Sequence, residues 1–254
     1  MSEIPVHFNE FRLTKSDLSW MTKEEMAVLG TLSFICNELN VFARFLRLTE
    51  QQVDDIGPVK FAADLQYNVV LRTLTSKAFE AHEFLRQVSK KAKSADSEIF
   101  GLVQKKEQNI SELKSSDGRA KNLNIRNDVS FHYDFDLAKK NIKSLPEDAD
   151  ASVYLNSLDC NSYSVLGERL MFVERLRRFS DADKKFEDPD ELAKSWIEWS
   201  SQVFFLIMEL QSELIGLVLS KVGKVAKETS YFVEPEFIAA DSDAVIPVFV
   251  RSDE

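Results

Sequence analysis

Cysteine, glycine and proline are all scarce in this chain, and each scarcity narrows what it can be. Two cysteines, Cys36 and Cys160, are too few and too far apart for a disulfide framework or a four-ligand zinc site, so a reducing cytosol is the default compartment. Cys36 falls in an apolar helical pattern and reads as a small core residue, whereas Cys160 lies in a turn-like stretch and reads as exposed. Seven glycines and six prolines among 254 residues, with long stretches free of both, favour helices over sheets and turns. Glycine-rich phosphate loops, Gly-x-Ser-x-Gly elbows and His-Glu-x-x-His pairs are all missing, which leaves nucleotide binding and classical hydrolase chemistry without a carrier.

Positive charge is also short, with 32 Lys and Arg against 42 Asp and Glu and a formal charge of −10. That balance counts against a general nucleic-acid binder but leaves room for a local basic cleft. Met1 to Asn9 has neither the basic start nor the apolar run of a signal peptide. The most apolar window, Val203 to Leu219, is interrupted by Glu209, Gln211, Ser212 and Glu213, so no membrane span is expected. A cytoplasmic protein follows as the expectation.

What is present is helical periodicity over a chain with ample apolar content for a core. Thr22 and Glu25 have the spacing of a capping box, and Val28, Leu32, Ile35, Leu39, Phe42 and Leu46 then describe one buried face to about Leu48. After a break over Gln51 to Pro58, a second helix is predicted from Val59 to Lys93, its stripe formed by Leu71, Leu74, Ala78, Ala81, Leu85 and Val88. His82 sits beside that stripe and reads as a flanking, solvent-touching residue, since no second metal-type ligand lies at helical spacing. A third helix, about Ser97 to Leu113, buries Ile99, Leu102, Ile110, Leu113 and the stem of Lys106. Asp134 or Asp136 can cap a short helix through Leu145, stopped by Pro146.

Short β-type runs, Ala151 to Leu155 and Ser162 to Leu166, flank a turn-like Asp159-Cys160-Asn161 and predict a hairpin at about 151–166. Glu168 to Phe179 reads as helical, with Arg175, Arg177 and Arg178 exposed as a solvated face that could also meet RNA. Asp188 as cap, Pro189 and Glu191 then open a last long helix to about Val222, apolar over a face wider than one neighbour requires. The expected division is one helical domain over 1–225 followed by an extended tail, 226–254.

Between the third and fourth predicted helices lies Asn124-Ile125-Arg126-Asn127-Asp128-Val129-Ser130-Phe131-His132-Tyr133-Asp134, which places an Arg, an Asn and a His together in a chain with only three histidines. His132 is the natural proton carrier, with an unperturbed pKa of about 6.5. Arg126 offers a fixed cation whose planar fork matches phosphate oxygens better than lysine would. Asn127 suits a phosphate oxygen, a 2′-hydroxyl or the imidazole itself. Arg119 and Lys121, just upstream, make the approach locally basic. None of these roles calls for a metal or another cofactor.

An Arg-Asn pair followed after four residues by His resembles the signature of the HEPN superfamily, helical domains whose active members are metal-independent RNases. The resemblance rests on Arg126, Asn127 and His132 in a helical context and implies a mainly α fold, a HEPN-like bundle of long antiparallel helices with a small hairpin inserted. Six helical steps turn through roughly 600°, leaving Arg126 and His132 about 120° apart around an ideal axis. Either the segment is irregular at one end, or the two groups meet across paired copies. The resemblance implies the second, a composite site in a homodimer cleft, and with it a toxin or abortive-infection role under an antitoxin or other regulatory protein. Asp128, directly after the pair, departs from this pattern by adding negative charge beside the proposed phosphate site. His132, set between Phe131 and Tyr133, also suits an ordinary packed or capping histidine, in which case the motif is a dimer contact in a non-catalytic interaction module.

Overall fold

The computed structural model describes residues 4–50, 57–91, 97–113, 135–156, 161–174, 176–177, 189–223, 227–233 and 246–249. Its helices are α1 (Lys23–Thr49), α2 (Gly57–Lys91), α3 (Glu98–Ser111), α4 (Phe135–Ile142), α5 (Val165–Glu168) and α6 (Pro189–Val222), with a 3₁₀ turn at Lys15–Leu18. The strands are β1 (Ile4–Glu10), β2 (Val153–Tyr154), β3 (Tyr163–Ser164) and β4 (Lys227–Val233). The fold is mainly α, as the scarcity of glycine and proline predicts.

α1, α2, α3 and α6 form an up-down-up-down bundle whose directions can be read from its cross-links. Ser33 meets Gln211 and Cys36 meets Ile207, so α1 and α6 run antiparallel. Glu98 pairs with Lys221 and Lys106 with Glu213, so α3 and α6 do too. The main core is filled by Leu32 and Leu39 of α1, Phe79 and Leu85 of α2, Val103 of α3, and Trp199, Val203 and Ile207 of α6. Leu32, Leu39, Leu85, Trp199, Val203 and Ile207 are periodic positions of the sequence, whereas Phe79 and Val103 fall beside the expected stripes and Leu102, expected inside, is only partly buried.

The start of α1 follows the capping box. Thr22 Oγ1 accepts from the Glu25 amide at 3.2 Å, and the Glu25 carboxylate accepts from the Thr22 amide at 2.7 Å. The other oxygen of Glu25 accepts from Ser97 Oγ at 2.5 Å, and Ser97 itself caps α3 through the Phe100 amide at 3.4 Å. One carboxylate thus ties two helix starts together. Burial pushes the Glu25 carboxyl upward, but the hydrogen bonds from Ser97 and Thr22 outweigh it, so its pKa ends below the usual value. A depressed carboxyl contributes stability above its unfolded pKa of about 4.3 and loses it as pH falls through the lower folded value. Glu25→Gln should therefore cost about 1 kcal/mol in urea denaturation at pH 7. That deficit should shrink below about pH 4; a deficit constant with pH would detach the carboxylate's charge from the effect.

At the other end of α6, Gly223 adopts a left-handed φ of 66°, and its amide bonds the Leu219 carbonyl at 3.0 Å. Only glycine takes this conformation without a Cβ clash, so it closes the helix.

A smaller cluster, Leu71, Leu176, Leu192 and Trp196, lies where α2 and α6 begin. The region predicted as one helix from Glu168 differs here, because α5 widens into a π turn over Arg169–Val173. Arg72 holds Glu168 with a two-pronged pair at 2.6 and 2.7 Å and lies 4.9 Å over the Phe172 ring. Asn141, fully buried, donates to the Leu170 carbonyl inside that widened turn at 2.8 Å.

The hairpin lies where the β-type runs predict it, Val153 opposite Ser164 and Tyr154 opposite Tyr163. Residues 227–233, which fall in the expected tail, pair antiparallel with β1, Ile4 opposite Val233 and Glu10 opposite Lys227. Further along, the Ile246 amide bonds the Leu48 carbonyl at 2.9 Å, and Phe249 lies 6.0 Å from the Tyr163 ring.

Two helices, α1 and most of α6, are long and apolar enough to cross a membrane by length and composition alone. Both contribute side chains to the bundle core, and both carry acids paired with cations of neighbouring helices. Lys77 of α2 pairs with Glu38 of α1 at 2.8 Å, and Lys106 of α3 pairs with two acids midway along α6.

Candidate functional site

The motif residues Arg126, Asn127 and His132, together with Arg119 and Lys121, lie outside the described residues, as do Arg175 and Arg178. What the structure describes is the frame on either side of residues 114–134. On one side α3 ends with Ile110 buried in the main core and Leu113 packed against it. On the other, α4 opens with Phe135 exposed at 76 % and carries Lys139 over the Phe135 ring at 4.9 Å. Arg177, the described member of the arginine cluster, pairs at 3.0 Å with the fully buried Glu174 and so has a structural partner.

The last two turns of α3, with Ser89 of α2, line a shallow open cleft of about 570 Å³ whose lining residues are all polar. Glu107, Gln108 and Ser111 face this cleft, and Ser111 Oγ donates to Glu107 Oε1 at 2.8 Å. Behind them lies His82, and here the sequence expectation is overturned. His82 is completely buried, its Nε2 3.9 Å from Glu107 Oε1 and its ring 5.8 Å from that of Trp199. Position 82 neighbours the Ala78, Ala81 and Leu85 stripe closely enough for α3 and α6 to close over it. The serine bonds the glutamate and not the imidazole, so this is no nucleophile-base pair. A histidine without solvent access in this state serves to join three helices.

A buried charge sits one residue before Glu107. Lys106, 3 % exposed along its side chain, reaches Glu209 at 2.8 Å and Glu213 at 3.1 Å. Burial lowers its pKa, but the hydrogen bonds and charges of the two acids outweigh that and hold it above the ordinary lysine value. Sequence reading finds only the stem of Lys106 and takes Glu209 and Glu213 as interruptions of an apolar run. Their spacing of four residues on one helix face was the available signal that a cation faces them.

Cys36 is buried, with its Sγ 4.0 Å from the Ile207 carbonyl, and burial pushes the thiol up to about 11. Such a thiol stays protonated at neutral pH and is inert. Among the described residues no cluster of His, Cys, Asp and Glu suits a metal ion. No family model matches the chain, and no curated protein or solved structure matches it either.

Proposed function

We propose that the chain is a metal-independent endoribonuclease of HEPN type, cytoplasmic and homodimeric, of the toxin or defence kind. The observation that carries this reading is the Arg126-Asn127 pair followed, after four intervening residues, by His132 in a mainly α chain. The ribose 2′-hydroxyl attacks the adjacent phosphorus and the 5′-oxygen leaves, giving a 2′,3′-cyclic phosphate and a 5′-hydroxyl. His132 moves the proton, Arg126 holds the charge on the phosphorane, and Asn127 supports one of them. Arg119 and Lys121 guide the RNA backbone to the site. An antitoxin or regulatory protein restrains the activity.

A second reading, a non-catalytic interaction module, is favoured by one specific feature. Phe34, Val41 and Phe45 of α1, at steps of seven and four residues, are 62, 36 and 40 % exposed on the face away from the core. Such a stripe suits a protein contact more than an RNA one.

Incubating wild type and His132→Ala with a mixed RNA pool in EDTA separates the two. The RNase reading expects cleavage by wild type with 2′,3′-cyclic ends, and a rate about 10²–10⁴-fold lower for His132→Ala. Intact RNA in both samples, with Phe34→Ser changing the oligomeric state, would move the assignment to the interaction module.

A further inference from the structure

Where α1 begins and α2 ends, the first three helices line a half-open cavity of about 470 Å³, separate from the polar cleft at the far end of α3. This is within the range of small-molecule pockets, about 300–1,000 Å³. Its walls are apolar, formed by Val28 of α1, Phe84 and Val88 of α2, and Phe100 of α3. Thr22, Ala27 and Thr31 complete the lining with one exposed charge of each sign, Glu24 on α1 and Lys91 on α2. Among the described residues neither takes part in an ion pair, although both line the same opening.

That pairing of charges selects the class of occupant. An uncharged apolar molecule would fill the walls and leave both charges unused. An anion would meet Lys91 but also face Glu24, and a cation would meet the reverse. Only a ligand with both signs on one end finds a partner for each. We propose that this cavity binds a zwitterionic small molecule with an apolar body, the chemistry of a free aromatic or branched α-amino acid. The ligand's carboxylate lies toward Lys91, its ammonium toward Glu24, and its side chain enters between Phe84 and Phe100. Two aromatic rings at the wall favour a ring in the ligand. The site is independent of the RNase reading and stands or falls separately from it.

Calorimetric titration of the full chain with leucine, phenylalanine and tryptophan tests the cavity, and two single-charge analogues test the mouth. At least one amino acid should bind saturably at one site per chain. Both 3-phenylpropionate, lacking the ammonium, and phenethylamine, lacking the carboxylate, should bind about fivefold or more weakly than phenylalanine, as expected for exposed charge pairs. Glu24→Gln should abolish the preference for phenylalanine over phenylpropionate, and Lys91→Gln the preference over phenethylamine. Both positions are exposed, so these variants keep the fold. Absence of saturable binding by all three amino acids overturns the site. Phenylpropionate binding as tightly as phenylalanine overturns the zwitterion.

Discussion

Replacing Glu209 and Glu213 together by alanine is expected to destabilise the protein markedly more than Lys106→Met, which should cost less than about 1.5 kcal/mol. The asymmetry follows from exposure. The Lys106 side chain is 3 % exposed, but Glu209 is 59 % and Glu213 33 % exposed. Removing the acids strands a desolvated ammonium. Removing the ammonium leaves two carboxylates that water can reach, while methionine retains the packing of the stem. pH adds a second check. In wild type the Lys106 pKa is raised, so its contribution is fully present below the unfolded lysine value of about 10.4 and is lost as pH rises through the folded one. In the double alanine variant only burial remains, which lowers the pKa. Its penalty should then ease as pH rises toward about 10, and urea midpoints at pH 7 and 9.5 would register this. Equal losses for Lys106→Met and the double variant would mean that the ammonium is not the desolvated partner.

Trp199→Ala is expected to cost about 3–5 kcal/mol, with a fall in Tm of about 6–20 °C. Trp199 is 1 % exposed, and its ring lies 6.4 Å from Phe79 and 5.8 Å from His82. Its loss opens a large void between α2 and α6 and removes one wall of the histidine's enclosure. Trp20→Ala is the internal control, because Trp20 is 39 % exposed and should lose far less. Similar losses at the two tryptophans, measured by thermal melts at one pH, would contradict the packing of α6 against α2.

These two cases mark where the sequence was legible. The capping box at Thr22 and Glu25 and the hairpin around Val153 and Ser164 could be read directly, since both are set by residues a few positions apart. The stripe of α6 was legible for the same reason, and Trp199 falls on it. His82 was not, because its burial depends on Glu107 and Trp199 from two other helices. Local spacing says only that it borders an apolar stripe. The roles of Glu209 and Glu213 were hidden likewise, since an acid in an apolar run looks like a break until its cation is known. β1 went unread because its partner strand lies at the other end of the described chain. For the proposed site the sequence remains the whole basis, through Arg126, Asn127 and His132.

The β1–β4 ribbon has a consequence for how the chain folds. His7 Nδ1 and Ser230 Oγ meet at 2.8 Å across a sequence separation of 223. A two-stranded ribbon is marginal by itself, and its closure entropy is met only when something else brings the strands together. The bundle does this, because α1 and α6 run antiparallel and deliver residues 10 and 227 to the same end. Among the described residues the ribbon is the pairing of greatest sequence separation, and it is expected to close after the bundle has docked. Being marginal by itself, it is expected to open before the bundle does, as amide hydrogen exchange along β1 and α6 would register.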